Sequence, residues 1–293
     1  MKQILTLFLI IMLISGCSAE PAAQIAATTL PVYEFTSRLC EGTGITVTRL
    51  VTEEVSCLHD YSLNVRQVKA AEAAETIVIS GAGLEEFMED LLHDRRTIDA
   101  STGIELLCPE EDHEHDHDHD HGHEGHHHES DPHIWLSPTH AKAMVSNIRS
   151  GLAALYPEYA EQFTANEAVL LEELKILEDY GSTTLSNLSC REMITFHDGF
   201  AYFADAFGLS ILEAVEEESG SEASAKELIH LIEEVEHHSL PAIFTEKSGS
   251  VSAASIIARE TSCSSFHLDM AMAGDSYFEA MYHNIDTIKE ALG

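Results

Sequence analysis

A helical run that begins at Pro157 and reaches about Leu188 sets the first limit on what this chain can fold into. Phe163, Leu170, Leu174 and Leu177 form one apolar stripe along it. Roughly thirty residues of helix measure about 45 Å, more than a single globular layer needs. Such a helix predicts two bodies with the run as their connector. Strands alternate with helices on both sides of it. "QIAATTLPVYEFTSRL" predicts a strand, a proline turn and a helix, and "GITVTRLV" a second strand by its β-branched residues. "VRQVKAAEAAE" predicts a helix, "TIVIS" a buried strand closed by "GAG", and "LEEFMEDLLH" an acidic amphipathic helix. After "DPHIWLSP", Ser137 can cap a helix with Pro138 at its first position, and Met144, Val145, Ile148, Leu152 and Leu155 repeat at helical spacing.

Beyond the connector, "EMITF", "LSILEA", "PAIFTE" and "SFHLD" predict strands. Between and after them lie helices in "GFAYFADAFG", "AKELIHLIEEVEHH", "SAASIIARET" and "SYFEAMYHNIDTIKEAL", the second opened by a Ser224/Glu227 capping box. Phe200, Phe203 and Phe207 share one face of the first, which Gly208 closes. The expected class is α/β: two (β/α) lobes, each around a sheet that is at least partly parallel, joined by a long rigid helix. The expected divisions are an N-terminal lobe at 25–155, a linker helix at 156–188 and a C-terminal lobe at 189–293. No sequence repeat between the lobes is evident.

The first residues, "MKQILTLFLIIMLISGC", place one lysine before an apolar run from Ile4 to Ile14. That run is too short to span a bilayer and has the make-up of a secretory signal. Ser15 and Gly16 before Cys17 resemble a bacterial lipobox. The resemblance implies cleavage after residue 16, a lipid on the Cys17 thiol, and a tether over 17–24. Five cysteines remain, Cys40, Cys57, Cys108, Cys190 and Cys263. Export permits disulfides, but an odd number leaves at least one thiol unpaired within the chain, and the pairing stays open.

Between Glu110 and Asp131 stand ten acids and nine histidines, with no lysine or arginine. The histidines are His113, His115, His117, His119, His121, His123, His126, His127 and His128. Purification tags sit at chain ends and are usually uninterrupted, so this internal, aspartate-alternating tract is native sequence. It has nothing to bury, which predicts a loop. Neutral imidazole suits Zn²⁺, Cu²⁺ and Ni²⁺, and the acids draw cations toward it, so the tract reads as an auxiliary metal collector. Without its ten acids the net charge of −36 would still be −26, so the acidity is global. Such a surface excludes nucleic acid as a partner and favours cations.

Ligands of open α/β sheets bind beyond the carboxyl ends of the strands. Four candidates fall where strands end or loops begin: His59 in "SCLHDYSL", His133 in "DPHIWL", His197 in "ITFHDGFAYFA" and Asp269 in "FHLDMAM". Three imidazoles and one carboxylate suit a tetrahedral Zn²⁺. They come from both halves, which puts the ion between the lobes. Each has a plainer reading: His133 as a packing residue beside Trp135, Asp198 beside His197 as a helix cap, His59 as a solvent-facing loop residue. Cys57 is a soft ligand or half of a disulfide. His93, His140, His230, His237, His238, His267 and His283 lie mostly on predicted helices and read as surface residues.

The order of lipobox, "TTLPVYEF", "LHDYSLNVRQVKAAEAAETIVISGAGLEEFMEDLL", His/acid loop, "DPHIWLSP", long helix, "ITFHDGFAYFADAFGL" and "YFEAMYHNIDTIKEAL" resembles the zinc/manganese solute-binding lipoproteins of bacterial ABC importers, the ZnuA-like family. The resemblance covers about residues 25–292. It implies two lobes bridged by a rigid helix, one metal in the cleft, His59, His133 and His197 as ligands, and Asp269 or water as the fourth. It also implies partners, an ABC permease with its cytoplasmic ATPase, and a place on the outer face of the bacterial cytoplasmic membrane. The family often has Asp-Pro before its first ligand, where this chain has Cys57-Leu58. Members favouring manganese often have Glu at the third position, where this chain has His197. With the His tract, that points to Zn²⁺, with Mn²⁺ as the alternative ion.

Two other functions compete. An exported zinc hydrolase would need an open coordination position and a general base; the chain has no H-E-x-x-H, and no candidate ligand is followed by a convincing base. A surface adhesin or zinc-buffering lipoprotein would work through the His tract alone.

Overall fold

The computed structural model describes residues 23–53, 55, 58, 61–107, 130–215, 224–246 and 252–293. In chain order the first lobe contains β1 (Ile25–Ala27), α1 (Leu30–Leu39), β2 (Val47–Arg49), α2 (Val65–Ala73), β3 (Thr76–Ile79), α3 (Glu89–Leu92) and β4 (Thr97–Asp99). Then come α4 (Pro138–Leu155) and α5 (Ala160–Thr184). The second lobe contains β5 (Glu192–Thr195), α6 (Ala201–Phe207), β6 (Ser210–Ala214), α7 (Ala225–His238), β7 (Ala242–Glu246), α8 (Ser252–Thr261), β8 (Ser264–Leu268) and α9 (Tyr277–Leu292). Among the described residues no helix is long and apolar enough to cross a membrane.

Among the described residues the strands form two sheets, ordered β2-β1-β3-β4 and β6-β5-β7-β8. Every pairing between them is parallel. The two lobes therefore repeat one topology that their sequences do not share. In each, the order reverses beside the first strand, between β1 and β3 and between β5 and β7. Those are the crevices where an open α/β sheet presents its ligand groups.

The connector forms as its stripe predicts. Phe163, Leu170, Leu174 and Leu177 are all buried, and α5 at 25 residues spans about 38 Å. A short 3-10 turn at Pro157–Tyr159 precedes it, and it stops at Thr184, short of Leu188. Two parallel bonds of 2.6 Å from the Arg38 guanidinium to Glu173 tie it to α1. Lys142–Glu178 and Arg149–Glu167 tie it to α4 at 2.7 and 2.9 Å. At its far end Gly181 lets Phe207 approach; a Cβ there would lie 2.3 Å from the Phe207 ring.

One apolar core runs through α4 and α5 into both lobes, and buried hydrogen bonds fasten the lobes to each other. The indole of Trp135, fully buried, donates to the Met270 carbonyl at 2.7 Å, and the Tyr277 hydroxyl donates to the Trp135 carbonyl at 2.8 Å. The Leu30 amide donates to the Met272 carbonyl at 3.2 Å. Fully burying a side chain of this size contributes about 2 kcal/mol or more, so the seam between the lobes is a packed core.

Three local expectations are corrected. Pro31 is no separate turn but sits in the first turn of α1, where its missing N–H is not needed. The expected helix over "LEEFMEDLLH" is broken into a 3-10 turn at Glu86–Met88 and the short α3. Its first glutamate turns inward: the Glu85 carboxylate accepts the Ser80 and Gly81 amides at 2.8 and 3.0 Å and the Thr28 hydroxyl at 2.6 Å. The strand β4 falls in "RTIDA", which the sequence pattern left as a connection; Ile98 supplies its one buried side chain. The capping box of Ser224 and Glu227 on α7 forms as expected. The thiols of Cys40, Cys190 and Cys263 are all free.

Candidate metal centre

His133 stands in the bend of "DPH", just before a 3-10 turn at Ile134–Leu136. Asp131 holds it at two atoms: Asp131 Oδ1 accepts the His133 backbone amide at 2.8 Å and lies 2.8 Å from its Nδ1. Pro132 between them fixes the backbone that makes the double contact possible. The ring packs edge-on to Trp135, centroids 5.3 Å apart, as the packing reading of His133 expects. His197 follows β5 at the C-lobe crevice. Its Nδ1 lies 3.3 Å from Oε1 of Glu246, the last residue of β7, which is 4% exposed.

The two imidazoles meet across the lobes, with Nε2 of His133 and Nε2 of His197 3.4 Å apart. A lone pair facing a carboxylate is repulsive, so the 2.8 Å contact with Asp131 favours the His133 proton on Nδ1, and the Glu246 carboxylate at 3.3 Å favours the same tautomer of His197. Both Nε2 lone pairs then face each other. At 3.4 Å they are also too far apart for a good N–H···N bond. Two nitrogens each about 2.0–2.1 Å from a tetrahedral Zn²⁺ would be about 3.4 Å apart. The pair is spaced as two corners of a metal site, with a carboxylate behind each ring.

Asp269 lies just past β8. Asn284 clasps its backbone with two bonds of 2.7 Å, and its own Oδ1 accepts the Ala271 amide at 2.8 Å. Among the described residues the only three His, Cys, Asp or Glu donors gathered within 4.8 Å of one another are those of Glu234, His237 and His238. The Asp269 carboxylate is therefore not gathered with both imidazoles. His59, Cys57, Cys108, Cys17 and the histidines of the tract 113–128 lie outside the described residues.

Sequence reasoning missed Asp131 and Glu246 as supporting groups. The sequence shows Asp131 as a loop acid held extended by Pro132, and its place two residues before His133 is the available signal. Glu246 was visible only as the last residue of a strand. Among the histidines expected at the surface, His140 is half-buried edge-on to Tyr202, centroids 5.1 Å apart, and burial holds its pKa below the ordinary range. His267 lies on β8, its Nδ1 2.7 Å from the Thr245 hydroxyl.

Fold and site define a two-lobed α/β chain in which the imidazoles of His133 and His197 meet between the lobes. The family model for the periplasmic zinc-uptake complex component A, ZnuA, matches residues 25–291, and the chain belongs to that family. It is 31% identical over 293 residues to the zinc-binding protein AdcA of Streptococcus pyogenes serotype M1, covering 92% of this chain and 56% of AdcA. The zinc-binding lipoprotein AdcA of Streptococcus pneumoniae serotype 4 is 31% identical over 284 residues, covering 93% of this chain and 56% of its own length. The chain thus spans little more than half the length of these relatives. A crystal structure of ZnuA shares 29% identity with a TM-score of 0.76, covering 92% of this chain and 100% of that one. The Zn(II)-bound ZnuA-like domain of Streptococcus pneumoniae AdcA shares 27% identity with a TM-score of 0.75, covering 92% and 98%.

Proposed function

We propose that this chain is the extracytoplasmic zinc-binding component of an ABC metal importer, which captures Zn²⁺ between its lobes and hands it to a membrane permease driven by a cytoplasmic ATPase. The observation that carries the reading is the pair of Nε2 atoms 3.4 Å apart, each ring backed by a carboxylate. Zinc-binding relatives and a Zn(II)-bound structural neighbour support the choice of ion. Two imidazoles with His59 as a third nitrogen donor favour Zn²⁺ over Mn²⁺, which prefers oxygen. In this reading Asp269 or water takes the fourth position. Binding and release of an ion need no catalytic base.

The division of the chain follows the same reading: a signal peptide at 1–16, a lipid-bearing tether at 17–24, lobes at 25–155 and 189–293, and the linker at 156–188. Lipid on Cys17 would hold the protein at the outer face of the cytoplasmic membrane, and Cys17→Ser would release it. The deciding experiment is a zinc titration of the chain without residues 113–128, with and without His197→Ala. Removing one of the paired imidazoles should lower affinity by at least 100-fold, on the order expected when a primary ligand is lost. An unchanged affinity would remove the cleft from the mechanism.

A further inference from the structure

Far from the cleft, the last turn of α7 gathers the three-donor group noted above. Glu234, His237 and His238 each offer a ligand atom, all within 4.8 Å of one another. The His238 Nε2 lies 3.6 Å from Glu234 Oε2, close to the separation of two donors on one tetrahedral ion. The rings of His237 and His238 pack edge to face with centroids 4.9 Å apart.

A second observation separates this group from an ordinary surface ion pair. The Nδ1 of His238 lies 3.0 Å from Oε2 of Glu192, the first residue of β5. That carboxylate holds the ring proton on Nδ1 and leaves Nε2 facing the Glu234 carboxylate at 3.6 Å, a repulsion of lone pair and anion that a cation between them would relieve. A carboxylate behind the ring is also the arrangement of Asp131 and Glu246 in the cleft. Among the described residues, His230, earlier on the same helix, pairs with the single carboxylate of Glu213 at 3.2 Å and with no second acid.

The surrounding charge favours a cation. Among the described residues, the only ion-pair partner of Glu192 and of Glu234 is His238. The neighbouring Arg191 spends its guanidinium on the carbonyls of Leu185, Ser186, Phe207 and Gly208. α7 ends at His238 with Ser239 as its C-cap, and the negative end of the helix dipole falls on the cluster.

We propose that Glu234, His237 and His238 form a second site for a divalent ion of the zinc class, with Glu192 as the positioning residue. Two imidazoles and a carboxylate select Zn²⁺, Ni²⁺ or Cu²⁺ over Mg²⁺ or Ca²⁺. The fourth position faces water, because His237 is exposed and Glu234 and His238 are half-buried. The site binds more weakly than the cleft and exchanges freely. Glu192 opens β5 and His197 follows its end, so the two sites stand roughly 16 Å apart along the sheet, at about 3.3 Å per residue. A bound ion would clasp the last turn of α7, which the His238–Glu192 contact ties to the start of β5.

The test uses crystals of the full chain soaked in zinc chloride at pH 7.5, with anomalous scattering at the zinc edge. The expected map has one peak between the lobes and another within bonding distance of Glu234, His237 and His238. His237→Ala together with His238→Ala should erase the second peak and leave the first. In equilibrium dialysis the same double variant should bind one zinc fewer than the parent at saturation, and Glu192→Gln should weaken that step on the order of 10-fold. His230→Ala should change nothing. A filled cleft with no density at the cluster, or equal stoichiometry in parent and double variant, would mean that His238 is only an imidazolium between two acids. Loss of the cleft peak alone would bear on the importer reading and leave this one standing.

Discussion

His133 and His197 are 64 residues apart and belong to different lobes, yet their Nε2 atoms lie 3.4 Å from each other. Neither side chain is held there by the other. Asp131 fixes the first ring from within its own turn, and Glu246 fixes the second from the neighbouring strand. The lobes bring the rings together because the Trp135–Met270 and Tyr277–Trp135 bonds set the seam beside them. The pair is thus aligned by the fold itself, which would remove part of the ordering penalty for an ion bound there.

The carboxylates behind the rings should then matter nearly as much as the rings. Glu246→Gln and Asp131→Asn preserve shape and an acceptor but remove the charge that makes each imidazole a better donor. Each should weaken zinc binding by about 10-fold to 100-fold. Calorimetry on the apo proteins would read this directly. Affinities within twofold of the parent would show that the two acids are incidental.

The junction of α5 with the second lobe allows a sharper stability test. A Cβ on Gly181 would stand 2.3 Å from Phe207 Cε1 and 3.1 Å from Ile285 Cδ1. Phe207 has little room to yield, since Phe203 stacks on it with centroids 4.9 Å apart. Gly181→Ala should therefore destabilise by about 1–3 kcal/mol, although alanine is otherwise the better helix former. Urea unfolding would show the loss, and a gain in stability would mean that the ring moves aside freely.

Much of this was legible in the sequence because periodic burial leaves a periodic trace. The stripe on α5, the capping box on α7 and the placement of His197 just past β5 all follow from local pattern, and His133 lies in the turn that "DPH" marks. What escaped was set by tertiary contact. Glu85 sits in a run that looks helical and amphipathic, but the Ser80 and Gly81 amides draw its carboxylate into the N-lobe crevice. The common strand order of the two lobes was invisible because equivalent crevices hold different chemistry. Glu85 with Thr28 fills one, and Glu246 with His197 the other. β4, with its single buried side chain Ile98, is too short to show an alternation.

Glu85 gives a pH signature. Burial pushes its carboxyl up to about 7 from an ordinary value of 4.5, against the lowering effect of its three hydrogen bonds. A raised folded-state value means that the native state prefers the protonated form. The associated stability is fully present below pH 4.5 and declines as pH rises through about 7. Melting temperatures of the parent and of Glu85→Gln, whose amide cannot ionise, isolate this group from the titrating histidines. The parent's advantage over the variant should shrink steadily across that window. A constant difference from pH 4.5 to 8 would show that Glu85 keeps one protonation state throughout.

The tract from His113 to His128 should act as a collector that feeds the cleft and should not itself be the delivery site. Its nine imidazoles alternate with acids and glycines, so several ions can bind in interchangeable ways, each with few donors. Such sites should be weaker than a pair whose rings are already fixed by Asp131 and Glu246. The tract ends five residues before His133. That tether raises the concentration of captured ions beside the cleft without any new contact. Free imidazoles titrate near pH 6.5, so capture should fade below about pH 6. Deleting residues 113–128 should therefore abolish several weak, pH-sensitive equivalents in a zinc titration and leave one tight one. Growth on the variant should suffer chiefly when zinc is scarce. If the tight equivalent disappears with the deletion, the tract supplies a primary ligand, and the collector role has to be given up.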